Sequence, residues 1–265
     1  MTQSEKRAYL IRWLLDERGE VPAAPAEEQA QIRLLRALLN TRPPRAADAS
    51  FLQVQDDYLR EEIRRRGITC AAELTPIRPG LYLWQGDVTT LRCDAIVNAA
   101  NRAMLGCFCP NHGCIDNAIH TYSGVQLRLA CAQLMRAQGH DEPTGQAKIT
   151  PAYNLPSRYV IHTVGPYVAG RLTAEHRRAL ADCYRACLAL AAHHGLHSIA
   201  FPCISTGEFR FPREEAAVIA IRTVEALRMQ MQNPPEVIFN VWKDEDFTVY
   251  RRLLGADPPA EGGNV

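Results

Sequence analysis

Asp94-Ala-Ile-Val-Asn-Ala-Ala-Asn101 decides how the rest of the chain is read. Ala95-Ile-Val97 is wholly apolar, as befits a strand buried on both faces and central in its sheet. The strand ends in asparagines. Leu105-Gly-Cys-Phe-Cys-Pro-Asn-His-Gly-Cys-Ile-Asp-Asn-Ala-Ile-His120 follows at once, placing Cys107, Cys109, His112, Cys114, Asp116 and His120 in one short run. Thiolates and imidazoles packed so densely suit zinc better than magnesium or calcium. A carboxylate just beyond them is what a zinc-assisted hydrolase needs.

Working outward, residues 76–255 alternate between short apolar strands and amphipathic helices. Strands are predicted at Leu81–Trp84, Ala95–Val97, Ala147–Thr150, Tyr159–Val164, Ser198–Phe201 and Val237–Trp242. Helices are predicted at Ile115–Tyr122, Val125–Ala137, Thr173–His193, Arg213–Met229 and Asp244–Leu254. This alternation implies an α/β fold whose largely parallel or mixed sheet is covered on both faces. Residues 1–75 read as a small helical extension. Tyr9, Leu10, Trp13, Leu14 and Leu15 share one helical face, Ile32, Leu34, Leu35, Leu38 and Leu39 another, and Phe51–Arg66 forms a third helix closed by Gly67. Pro22, Pro25 and Pro43-Pro44 break the chain between them. Arg64-Arg65-Arg66 reads as a solvated helix end, where cations favour the dipole. Residues 256–265, with Pro258-Pro259 and Gly262-Gly263, read as a flexible tail.

Composition narrows the functional classes. Thirty basic against 29 acidic residues leave a net charge of +1, so no overall field draws the chain to nucleic acid. No apolar run approaches the roughly 20 residues of a membrane span, and Arg12 and Asp16 interrupt the first helix too early for a signal peptide. Nine cysteines, an odd number in a chain too long to need staples, point to a reducing, cytoplasmic setting. They are expected as metal ligands or core fillers, with Cys183 and Cys187 on one buried helical face.

Two further stretches carry chemistry. Gly86-Asp-Val-Thr-Thr90 follows the first strand of the α/β region, so Gly86 allows a tight turn and Asp87 projects at a strand's C-terminal end. Such an aspartate accepts from an exocyclic amine or a ribose hydroxyl, or simply caps the turn. Ser205-Thr-Gly207, at the end of another strand, leaves backbone N–H groups free to line an anion nest. His162, between apolar neighbours, reads as a core histidine, and His193, His194 and His197 as solvent-facing. His120, one turn after Asp116, either orients that carboxylate or packs. Trp242, ending the last strand, reads mainly as packing, with flanking a bound base as the alternative.

Taken together, Gly86-Asp-Val-Thr, Asp94–Asn101, Tyr153-Asn-Leu-Pro156, Tyr159-Val-Ile-His-Thr-Val-Gly-Pro166 and Ser205-Thr-Gly207 resemble the ADP-ribose-binding macrodomain over residues 78–255. The resemblance implies a three-layer α/β/α fold with a mixed central sheet. It implies that Asp87 holds the adenine amine, Val88 lines its pocket and Asn101 meets the distal ribose. It also implies that Ser205, Thr206, Gly207, Glu208 and Phe209 wrap the diphosphate. Ile115 and Asp116, directly after the last cysteine of the loop, are further candidates to face the ligand. Where many macrodomains carry a glycine-rich loop, this chain has Gly106–Asp116, which resembles the zinc-dependent branch with its helical N-terminal extension. That branch implies a protein-ADP-ribose hydrolase with Cys107, His112 and Cys114 as zinc ligands. Beside such an ion Asp116 is the candidate catalytic residue, as general base or to position the water, and Asn101 the candidate to orient the ribose. The implied substrate is an ester of mono-ADP-ribose to Asp or Glu, with a genetic link in some cases to a sirtuin-type ADP-ribosyltransferase. O-acetyl-ADP-ribose deacetylation and non-catalytic ADP-ribose reading are the alternatives. Cys109 would close the zinc site with a fourth ligand, but its single-residue spacing from Cys107 is tight for one tetrahedral ion.

Overall fold

The computed structural model describes residues 1–21 and 24–255. The expected break at Pro22 and the flexible tail at 256–265 lie outside the described residues. A six-stranded mixed sheet is built from β2 (Leu81–Gln85), β4 (Ala95–Ala99), β5 (Ala147–Pro151), β6 (Tyr159–Thr163), β7 (Ser198–Phe201) and β8 (Glu236–Val241). Its order is β2-β8-β7-β4-β6-β5, with every neighbouring pair parallel except β5 and β6. β4 is therefore interior, as its unbroken apolar run requires. A two-stranded parallel pair, β1 (Thr69–Cys70) with β3 (Leu91–Arg92), lies outside this sheet and went unpredicted, being too short to show a period.

The strand period of two sorts the core into two layers. Ala95, Val97, Ile161, Ile199, Phe201, Val237 and Phe239 pack with α6 (Ala174–His193), α7 (Arg213–Arg228) and α8 (Asp244–Leu253). The intervening Ile96, Val160, Ala200 and Ile238 pack on the other face with α4 (Ile115–Ser123) and α5 (Val125–Gln138). This is the three-layer α/β/α arrangement expected. Asn98 and His162 continue the Ile96 and Val160 parity, and they are register partners on β4 and β6. Both side chains therefore turn toward α4 and α5.

Helices α1 (Gln3–Glu17), α2 (Glu28–Thr41) and α3 (Ala49–Arg65) bury Leu10, Leu14, Leu35, Leu38, Phe51 and Leu59 in a third cluster. Tyr122 and Val125 of the α4/α5 layer pack against it. Ile63, near the end of α3, instead joins the core of Val88, Leu91 and Ile119. Thus the N-terminal helices sit directly on the layer that carries the cysteine loop. Among the described residues no helix is long and apolar enough to cross a membrane.

Candidate active site

The C-terminal ends of β2, β4, β7 and β8 open into one cleft of about 900 Å³. That volume is ample for a nucleotide-sized ligand. Asp87 and Val88 line it after β2, Asn101 after β4, and Ser205, Thr206, Gly207, Glu208 and Phe209 after β7. Cys107, His112, Cys114, Ile115 and Asp116 line it from the loop entering α4. Every residue singled out by the resemblance thus faces the same space.

The cysteine loop is folded by polar ties. Gly106 has φ +78°, and a Cβ there would lie 2.7 Å from the His120 ring, so both conformation and space call for glycine. Asn117, fully buried, donates from Nδ2 to the Cys109 carbonyl at 3.0 Å. Its Oδ1 accepts from Arg36 of α2 at 2.9 Å, and Arg36 also donates to the His112 carbonyl at 2.9 Å. Asn40 of α2 accepts from the Asn111 amide and donates to Thr121. As a result, ligand atoms of Cys107, His112 and Cys114 all lie within 4.8 Å of one another. Cys109 is exposed and outside that group. Two soft sulfurs and one imidazole form a zinc-type donor set with three protein ligands. Burial pushes the Cys114 thiol up to about 12, with Cys107 and Asp116 reinforcing the shift. A cation beside it is what would hold it as thiolate. Glu208 Oε1 lies 3.7 Å from His112 Nε2, so the loop after β7 meets the cysteine loop here.

Asp116, in the first turn of α4, is 5% exposed. Asn98 Nδ2 donates to its Oδ1 at 2.8 Å, and Asn101 Nδ2 reaches its Oδ2 at 3.3 Å. Burial raises its carboxyl to about 6, against the lowering effect of the Asn98 bond. Behind Asn98, its Nδ2 lies 3.2 Å from His162 Nδ1, and His162 Nε2 lies 2.9 Å from Thr150 Oγ1. An amide nitrogen only donates, so His162 Nδ1 is the acceptor and its proton sits on Nε2. Burial holds His162 down to about 3, hence neutral. His120 Nε2 stands 3.6 Å from Asp116 Oδ1. His120 thus packs beside the carboxylate without a hydrogen bond to it, both of its ring nitrogens being buried and unpaired among the described residues.

The loop after β7 is held in an unusual backbone. Ser205 and Arg210 have φ of 65° and 58°, in the left-handed region that side chains seldom adopt. The amides of Gly207, Glu208 and Phe209 make no hydrogen bond to another described residue. Three free N–H groups in succession at a strand end suit an anion.

The Macro domain family matches residues 97–220. The chain is 51% identical over 260 residues to the protein-ADP-ribose hydrolase of Treponema medium, covering 96% of this chain and 100% of that one. A Staphylococcus aureus protein of the same name is 45% identical, with 94% and 95% covered. The chain belongs to the macrodomain family. The Trypanosoma brucei macrodomain solved with ADP-ribose superposes with a TM-score of 0.64 at 29% identity, over 83% of this chain and 95% of that one.

Two expectations change in this macrodomain. Gly86 makes the bend expected after β2, and a Cβ there would lie 2.3 Å from the Trp84 ring. Trp242 does not pack away: it is 70% exposed and lines the cleft. Arg66 is not simply solvated, since its guanidinium pairs with Asp87 and stacks on Tyr122. Asn98, Arg36 and Asn117 were missed as site residues. Only Asn98 carried a signal, because its parity with Ile96 points it at α4. Asn98→Ala removes donors to Asp116 and His162, and is expected to cost about 1–3 kcal/mol. A lowered melting midpoint would register this, and an unchanged one would show the network to be dispensable.

Proposed function

We propose that this macrodomain is a zinc-dependent hydrolase that removes mono-ADP-ribose from Asp or Glu side chains of modified proteins and releases ADP-ribose. The observation that carries the reading is the meeting, in one cleft, of a nucleotide-sized space and a Cys107–His112–Cys114 donor set beside Asp116. Relatives named protein-ADP-ribose hydrolase, with nearly full-length identity of 51% and 45%, support it.

In this reading Asp87 accepts from the adenine amine and Val88 walls the base. The amides of Gly207, Glu208 and Phe209 meet the diphosphate, with Ser205 and Thr206 shaping the turn. Ile115 packs on the ligand where α4 begins. Asn101 spends its Nδ2 on the Gly106 carbonyl and Asp116, which leaves Oδ1 to accept from a distal-ribose hydroxyl. Cys107, His112 and Cys114 would hold zinc, which when bound supplies a Lewis acid at the distal-ribose end. Asp116, with both oxygens steadied by asparagines, takes the proton of the water that attacks C1″. The C1″–O bond to the side chain breaks as the bond to the water oxygen forms, and the protein carboxylate leaves. A carboxylate departs without needing a proton, which favours an ester over an amide or guanidine linkage.

The modification would be supplied by an ADP-ribosyltransferase, for which we propose the sirtuin type, in the cytoplasm. All nine cysteines are unpaired thiols, in keeping with a reducing compartment. The test offers purified enzyme two proteins, one ADP-ribosylated on acidic residues and one on arginine, and follows ADP-ribose release. Release from the first alone is expected. Tight ADP-ribose binding with no release from either would make the chain a reader.

A further inference from the structure

We propose that Arg66, at the end of the N-terminal helices, is a positioning residue for adenine recognition. The inference rests on reading the cleft as an ADP-ribose site and deepens it. Arg66 is the C-cap of α3, and Ile63, three residues earlier, is 1% exposed in the core shared with Val88 and Ile119. The end of α3 is thus fixed to the α/β layers, not merely tethered near them. From there the guanidinium stacks on Tyr122, its carbon 3.7 Å from the ring centroid. Nη1 donates to Asp87 Oδ2, and both terminal nitrogens lie 3.2 Å from Thr89 Oγ1.

The Asp87 carboxylate offers about four lone-pair positions. Oδ1 accepts from the Thr89 amide at 2.9 Å and from Thr89 Oγ1 at 2.6 Å. Oδ2 accepts from Arg66. One position on Oδ2 is left, and Asp87 and Tyr122 both line the cleft whereas Arg66 does not. Thr89 holds the carboxylate by Oδ1, and Arg66 adds the hold on Oδ2 that leaves a single fixed acceptor, beside an aromatic ring that it also braces. A fixed acceptor reads an exocyclic amine and rejects a base that presents a carbonyl there. The helical extension is in this way part of nucleotide recognition, rather than a separate docking element. The pair is about a third exposed, with Arg66 at 27% and Asp87 at 32%, so solvent screening keeps the effect moderate.

The experiment measures calorimetric affinity of the full-length protein for ADP-ribose and for its hypoxanthine analogue, in which a carbonyl replaces the amine. Arg66→Gln is expected to weaken ADP-ribose binding about tenfold, and to leave the analogue nearly unchanged, so that the base preference collapses. Arg66→Lys, which keeps the charge but not the planar fork, should lower the same preference, and serves if the glutamine variant does not fold. Unchanged affinity, equal loss for both ligands, or tighter ADP-ribose binding would overturn the proposal. If the unaltered protein binds no ADP-ribose, the cleft reading falls and this inference falls with it.

Discussion

Cys114→Ser is expected to abolish zinc retention and lower turnover on the order of a hundredfold or more, while leaving the fold intact. Cys114 is the N-cap of α4, and its sulfur accepts from the Asn117 amide at 3.4 Å. Serine is among the best N-cap residues, so the helix start survives the change or gains from it. A neutral hydroxyl is a poor substitute for a soft thiolate on zinc. The variant therefore separates metal binding from folding in a way that deletion of the loop would not. Metal analysis, a melting curve and an ADP-ribose release assay on the same preparation give the three readings. Cys109→Ser is the matched control: its thiol is exposed and outside the donor group, so zinc and turnover should both persist. Equal loss in both variants would replace the three-ligand site with a closed four-ligand one.

Asp116→Asn is expected to lower kcat by about 10²–10⁴, with zinc and ADP-ribose binding largely kept. The amide matches the carboxylate in shape but has no proton-accepting anion. Its new NH₂ group also has to face Asn98 Nδ2 or Asn101 Nδ2, donors that now meet the two carboxylate oxygens. Two donors cannot pair, so a stability loss of about 1–3 kcal/mol accompanies the kinetic one. Single-turnover rates under saturating enzyme separate this from weakened binding. A variant that kept its single-turnover rate but bound substrate poorly would make Asp116 a ribose contact instead of a base.

The order of strands and helices was legible because each strand is short and apolar and each helix has one apolar face. Ser198–Phe201 was located to the residue, and β4 was correctly read as interior. The cleft was legible because its residues come in local runs at strand ends. Contacts between runs far apart in sequence were not legible. Arg36 reaches the cysteine loop across 76 residues, and Arg66 reaches Asp87 across 21. An arginine on an amphipathic helix looks the same whether it meets water or a carboxylate. Only the docking of α2 and α3 on the α4 layer reveals which. Trp242 reads first as packing because an aromatic at a strand end resembles core, and its exposure in the cleft favours the alternative of flanking a base.

Zinc back-titration addresses the joining of metal site and nucleotide cleft into one active site. Protein stripped by a strong chelator, and verified metal-free, is supplied with zinc in steps while ADP-ribose release from an acid-linked substrate is followed. Activity should be absent at the start, rise in proportion to zinc bound and saturate at about one ion per chain, since only the Cys107–His112–Cys114 group, and not the buried His120–Cys131–His162 group, lines the cleft. Full turnover by the zinc-free protein would contradict a zinc-dependent hydrolase, whatever the metal does for the fold.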